Sequence, residues 1–221
     1  MKKSALLKKA ASLLEHDQGY LAKGFVSLAG VDEAGRGPLA GPVVAGAVVL
    51  PEDFQHAWLN DSKKLSAPRR EALYEELTGN GRIRFASGMA SVEEIDRLNI
   101  LRATHLAMGR AVAALGEPGP EMVLIDGLPV RDFAWPQQAV VKGDALSLSI
   151  AAASIIAKVE RDRMMLALDA AFPLYLFAAH KGYGTAAHLA ALQQYGPSPH
   201  HRRSFQPVAQ LSLDFSGGAS T

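Results

Sequence analysis

No cysteine occurs among the 221 residues, which removes disulfides, thiolate metal sites and a cysteine nucleophile together. An excess of charge is also missing. The 23 Lys+Arg stand against 22 Asp+Glu, so any nucleic-acid surface has to be a local patch. Apolar runs are short. The most apolar, Gly37 to Pro51, spans 15 residues with three prolines, below the ~20 apolar residues of a membrane-spanning helix. The segment MKKSALLKKAASLLEHDQGY is interrupted at Lys8, Lys9 and Glu15 and lacks the apolar core of a signal peptide. It reads as an amphipathic helix of a cytoplasmic protein. The seven histidines show no zinc-ligand spacing, so His105 and His188 read as ordinary helix residues. There is no internal repeat and no Walker sequence. What remains, 48% hydrophobic and 20% charged residues, is material for one globular domain with a real core.

The order of elements predicts the fold class. Phe25 to Val31 is β-rich, and VVAGAVVL (Val43 to Leu50) is a buried strand close enough to pair with it. A helix is expected from Pro68 to Leu77 and a strand from Arg82 to Ala90. A capping box at Ser91-Val92-Glu93-Glu94 opens a short helix, and a longer one runs from Ile100 to Leu115. Short strands at Met122 to Ile125 and Ala139 to Lys142 precede helices at Ile150 to Ala170 and Ala186 to Tyr195. Strands alternating with helices after an initial hairpin indicate an α/β protein, a mixed sheet flanked by helices.

Acids recur where these strands end. Asp32 and Glu33 follow the first strand, Asp126 follows MVLI, and Asp144 follows AVVKG. Ligand sites form on such a rim, and clustered carboxylates require cations or protons to coexist. Oxygen-only donors suit Mg²⁺ or a similar hard ion; solvated loop acids and helix caps are the alternative. Gly35-Arg36-Gly37 beside them can bring backbone groups close to a ligand, or can be a plain tight turn. Its match to the dinucleotide fingerprint G-x-G-x-x-A fails, because Pro38, Pro42 and a strand follow where a helix should. Ser154 and Lys158 lie one helical turn apart, as in a serine–lysine nucleophile or in ordinary packing. His180 to Thr185 puts Tyr183 in a glycine loop, either a stacking platform or a turn. His200-His201-Arg202-Arg203-Ser204 is a phosphate patch or a solvated loop.

Taken together, GVDEAGRGPLAGPVVAGAVVL, NDSKKLS, LIDG, VVKGD, AAASIIAKVERDRMM, HKGYGT and HHRRSF resemble bacterial ribonuclease HII, the type 2 ribonuclease H family, over about residues 28–207. The resemblance implies an RNase H-like sheet with a helical C-terminal portion. It implies an endonuclease that hydrolyses the RNA strand of RNA–DNA hybrids and incises 5′ of single ribonucleotides in duplex DNA, leaving 3′-hydroxyl and 5′-phosphate ends. Carried over by motif, Asp32, Glu33, Asp126 and Asp144 would be catalytic and would hold two Mn²⁺ or Mg²⁺ ions. Gly35, Arg36 and Gly37 would recognise the ribose 2′-hydroxyl, the group that separates RNA from DNA, and Tyr183 would pack on the next sugar. Lys63, Lys64, Lys142, Lys158, Lys181, Arg202 and Arg203 are expected phosphate contacts. One departure is visible: the family's YGFAQ reads Tyr175-Leu176-Phe177-Ala178-Ala179 here.

The expected organisation is an N-terminal helical extension (1–24), a catalytic domain (25–207) and a flexible tail (208–221), in a monomer. Gln210-Leu211-Ser212-Leu213-Asp214-Phe215 resembles the Q-L-x-L-x-F peptides that dock on the polymerase sliding clamp. Gln210, Leu211, Leu213 and Phe215 would make those contacts; packing on the enzyme's own surface is the alternative. Two other classes compete with the nuclease. A dinucleotide-dependent oxidoreductase conflicts with the strand after Pro42, and a hybrid-binding module without catalysis would not need four acids.

Overall fold

Small β-branched and alanine side chains between Pro42 and Pro51 form a strand, β2 (Val43–Val49), buried along nearly its whole length. It pairs antiparallel with β1 (Leu28–Ala34). The computed structural model describes residues 3–54, 56, 59 and 65–211, with side chains from residue 12 onward. Three more strands, β3 (Arg84–Ala90), β4 (Met122–Asp126) and β5 (Gln137–Val140), complete a five-stranded sheet of order β3-β2-β1-β4-β5. β2 and β3 are antiparallel, whereas β1, β4 and β5 run parallel. The sheet is therefore mixed, as the element order predicts.

Helices cover both faces. Helix α3 (Val92–Leu98) starts with the predicted capping box, in which the Ser91 side chain accepts from Glu94 N–H and Glu94 returns to Ser91 N–H. Helix α4 (Ile100–Ala114) follows it onto one face, where Ala29, Val31, Ala45, Ala107, Ala111 and Ile125 share a core. Helix α5 (Leu148–Ala171) lies on the other face with α2 (Ala67–Gly79) and α1 (Lys3–Leu21), around Leu13, Val48, Leu73, Ala152 and Ile156. A Cβ on Gly30 would overlap the Ser149–Ile150 backbone, and one on Gly46 the Ala153 carbonyl. Gly88 meets α4 in the same way. The helices thus rest directly on the sheet backbone.

Helix α1 is docked rather than appended. Leu13 is fully buried, and Asp17 Oδ2 accepts the Ser149 N–H at 2.8 Å, satisfying an open donor at the start of α5. Beyond α5, short α6 (Phe177–His180) and α7 (Ala186–Tyr195) form the helical C-terminal portion. A helical turn at 208–211 continues it. Val208 is wholly buried and Leu211 packs on the C-terminal core, so the ordered body passes the expected boundary at 207. Leu213 and Phe215 lie outside the described residues.

One strand differs from expectation in a way that matters. β1 contains Asp32 and Glu33 instead of ending before them, because β2 supplies Gly46 and Ala45 opposite them and the ladder continues.

Candidate active site

Parallel pairing of β1 with β4 runs from Leu28↔Met122 to Val31↔Ile125. The next residue on each strand is Asp32 and Asp126, so two carboxylates stand on adjoining strands, ~4.8 Å apart in a sheet. Glu33 follows in β1, its N–H donating to Asp32 Oδ1 at 2.7 Å. Beyond β5 the chain turns at Lys142, whose φ of 58° is left-handed, and the Gly143 N–H donates to Asp126 Oδ1 at 2.6 Å. That bond holds the turn carrying the buried Asp144 against the end of β4. The four acids therefore gather at one end of the sheet. Asp32, Glu33 and Asp126 line a cavity of about 250 Å³ together with Gly35, Arg36, Gly37, Ser154, Lys158, Arg161 and Tyr183.

The electrostatics are those of crowded anions. Burial raises the Glu33 carboxyl above its ordinary value. Arg36, donating to Glu33 Oε1 at 3.1 Å, pulls it back, and the charge of Asp126 pushes it further up. Among the described residues no three His, Asp or Glu side chains are closed into a finished metal cage. The donor set nonetheless suits a hard divalent cation: all oxygens, on one rim, with repulsion a cation would relieve.

The glycine loop is held from behind by two arginines. Arg161 is almost fully buried. Its Nε donates to Pro42 O (3.0 Å), Nη1 to Lys181 O (3.1 Å) and Nη2 to Ala40 O (3.2 Å). Arg202 is completely buried and donates to the carbonyls of Gly35 (2.5 Å), Arg36 (2.9 Å), Gly41 (2.9 Å) and Pro42 (3.3 Å). Burial pushes its guanidinium down to about 9, aided by the Arg161 charge and opposed by Asp96. Gly35 has a φ of 96°, and a Cβ there would collide with the Arg161 guanidinium. Across the cavity Tyr183 faces this loop: a Cβ on Gly37 would lie 3.7 Å from its ring.

The sequence model for Ribonuclease HII matches residues 29–208. The chain belongs to the ribonuclease HII family. It is 56% identical to a ribonuclease HII of Coxiella burnetii over 186 residues, covering 84% of this chain and 91% of that one. Among solved structures, ribonuclease H2 from Pyrococcus horikoshii superposes with a TM-score of 0.70 at 26% identity, over 86% of this chain and 99% of that one. A chain of the PCNA:RNase HII complex from Archaeoglobus fulgidus does so with a TM-score of 0.68 at 27% identity, over 82% and 96%. This ribonuclease HII relative is a metal-dependent endoribonuclease with an RNase H-like fold.

Not every residue expected at the site reaches it. Arg202 is a correction: its guanidinium is enclosed by loop carbonyls and has no face for a phosphate. Arg203 and Lys142 are exposed. Lys158 lines the cavity but is paired with Asp162 Oδ1 at 2.6 Å, and the Lys181 ammonium donates to Ala178 O. Lys63 and Lys64 lie outside the described residues. Ser154 donates to Ala151 O at 2.8 Å, so it and Lys158 form no nucleophile pair.

Sequence reasoning missed a histidine relay under Tyr183. Ser198 N–H donates to His201 Nδ1 at 2.9 Å, so the His201 proton sits on Nε2 and points to His188 Nε2, also at 2.9 Å. His188 must then carry its own proton on Nδ1, which donates to Tyr183 O at 2.9 Å. Burial lowers both imidazoles, His201 to about 3, and the relay is neutral at pH 7. Leu176, where the family pattern has glycine, adopts the left-handed conformation (φ 57°). The leucine side chain is half exposed, and the turn into α6 keeps the shape a glycine would give.

Proposed function

We propose that this endonuclease, which degrades the RNA of RNA–DNA hybrids, also incises 5′ of a single ribonucleotide embedded in duplex DNA, leaving 3′-hydroxyl and 5′-phosphate ends. The observation that carries this reading is one cavity with three carboxylates on its floor, and with the Gly35–Gly37 backbone and the Tyr183 ring facing each other above them. Backbone amides and carbonyls beside Gly35 and Gly37 can touch a 2′-hydroxyl without reading the base. The loop is preorganised for this, because Arg161 and Arg202 fix its carbonyls. The Tyr183 ring would stack on the following sugar and favour a deoxyribose, since a further 2′-hydroxyl would crowd it.

Asp32, Glu33, Asp126 and Asp144 would hold two Mg²⁺ or Mn²⁺ ions. Bound there, such ions supply an acidified water and a charge sink for the leaving 3′-oxygen. The chain's own contributions are distinct. Asp126 is oriented by the Gly143 N–H, Arg36 restrains Glu33, and exposed Lys142 and Arg203, with Lys158 on the cavity wall, would neutralise phosphates. A cytoplasmic site of action on the chromosome fits this role, and no helix among the described residues is long and apolar enough to cross a membrane.

A labelled duplex with one ribonucleotide, incubated with Mg²⁺, Mn²⁺ or EDTA, tests the proposal. Incision on the 5′ side with either metal and none in EDTA is expected; an uncut duplex beside a cleaved uniform hybrid would refute it. Tyr183→Ala is expected to slow junction cleavage by roughly tenfold to a hundredfold, the ~1–3 kcal/mol of a stacking contact, and uniform-hybrid cleavage less. Equal rates for the variant and wild type would remove the ring from the mechanism.

The tail supports a second contact. The neighbouring Archaeoglobus RNase HII is found with PCNA, and residues 210–215 carry the clamp-type pattern. A pull-down on purified clamp should retain the full chain and lose Leu213→Ala/Phe215→Ala; equal retention would sink this contact. Changing these two positions, rather than cutting at Ala209, spares Leu211, which packs on the body.

A further inference from the structure

A second cavity, about 440 Å³, opens between α4 and residues 130–135. Topology puts it beside the catalytic rim. Helix α4 begins soon after β3 leaves the carboxylate end of the sheet, and residues 127–136 leave the same end directly after Asp126. Its wall is built, not loose: Gln137 Oε1 accepts the Val130 N–H and Gln137 Nε2 donates to Val130 O. His105 Nδ1 accepts the Arg131 N–H at 3.3 Å. Phe133 and Trp135 meet edge to face at 5.2 Å on its floor.

The charge on its rim is positive and largely uncommitted. Arg110 is spent in a two-pronged pair with Glu94. Arg102 and Arg131 are exposed, and among the described residues neither has an acidic side chain in an ion pair; Asp132 is the one acid lining the cavity. His105, on the cavity wall, is lowered first by burial and then by the positive charges of Arg36 and Arg131. Arg36 at the catalytic cleft and Arg131 at this cavity thus put positive charge on both sides of a neutral His105.

We infer that this cavity is a subsite for the sugar–phosphate backbone of the flanking duplex, with Arg102 and Arg131 each gripping a phosphate. A nucleic acid is favoured over an acidic peptide because one wall of the cavity is the chain that leaves Asp126, at the rim where the substrate already lies. The inference rests on the nuclease reading, and it assigns the site to substrate retention rather than to bond cleavage. Removing one arginine–phosphate interaction should flatten the salt dependence of binding by about 0.9 in log–log slope.

The test is steady-state cleavage of a long hybrid by Arg102→Ala/Arg131→Ala over a salt series, with Arg82→Ala, at the far end of β3, as control. Both changed side chains are exposed, and the Arg131 N–H that meets His105 remains. KM is expected to rise about tenfold with kcat within twofold, and the slope of log(kcat/KM) against log salt to flatten by about 1.8. An unchanged KM and slope would overturn the subsite, as would a loss in kcat alone. Altered retention of an acidic protein with unchanged hybrid cleavage would assign the cavity to a protein partner instead. If wild-type protein itself left every hybrid intact, the nuclease reading would fail, an outcome distinct from any of these.

Discussion

Replacing Asp126 by asparagine is expected to abolish cleavage while leaving the protein folded and still able to bind its substrate. Asparagine keeps an oxygen where Asp126 Oδ1 accepts the Gly143 N–H, so the turn that brings up Asp144 survives. What disappears is one anionic ligand at the centre of the site. A loss of more than about a thousandfold in rate, on the order of 4 kcal/mol of transition-state stabilisation, is the expected magnitude. Stability should move the other way. Asp126 raises Glu33 by repulsion, and neutralising it relieves that strain, so the melting temperature should stay level or rise. Rate assays paired with thermal melts and hybrid binding separate the possibilities. Near-normal turnover in the variant would remove Asp126 from the mechanism.

Arg202→Met should produce the largest loss of stability of any single change outside the hydrophobic core. It removes the donors from the carbonyls of Gly35, Arg36 and Gly41, those of Gly35 and Gly41 in buried surroundings, and leaves Pro42 O to Arg161 Nε alone. Each buried acceptor left unpaired costs about 1–3 kcal/mol, and partial relaxation makes roughly 3–5 kcal/mol a reasonable sum. For a chain of this length that is a fall of about 10 °C in melting temperature. Arg202→Lys, with a single ammonium in place of the planar fork, should recover part of it. The glycine loop should loosen as well, so surviving activity should discriminate less between a ribose and a deoxyribose at the cut. A Met variant melting with the wild type would mean these carbonyls find other donors.

Much of this arrangement was readable along the chain because local chemistry and tertiary structure agree. The Ser91 capping box and helix Ala186–Tyr195 fall where the pattern puts them. So does β2, since a valine run between two prolines has few alternatives. Family motifs singled out the acids, the glycine loop and Tyr183 as the expected site, and the acids of β1 and β4, the loop and the ring line one cavity. The arginines were not readable in the same way. His201-Arg202-Arg203 looks like a solvated basic loop, and nothing local says which arginine turns inward. The bridge from Ala40 to His201 and the bond from Arg202 N–H to Leu39 O decide it, and both partners are some 160 residues away. Arg161 is hidden among Glu160, Asp162 and Arg163. A signal did exist: it stands one turn from Ala157 and one from Met165, both buried, on the helix stripe that faces the sheet. His188 was passed over for the same reason, because its partner His201 comes from a separate loop.

The glycines at positions 30, 46 and 88 bring the sheet and its two long helices into backbone contact at three points within the side-chain core. Sliding or tilting either helix would force main-chain atoms through one another, so the platform beneath the cleft is stiff. Whatever adaptation accompanies docking must then come from the double helix. Selectivity among target sites should follow how readily each stretch of nucleic acid bends and opens its groove, even at base pairs the protein never touches.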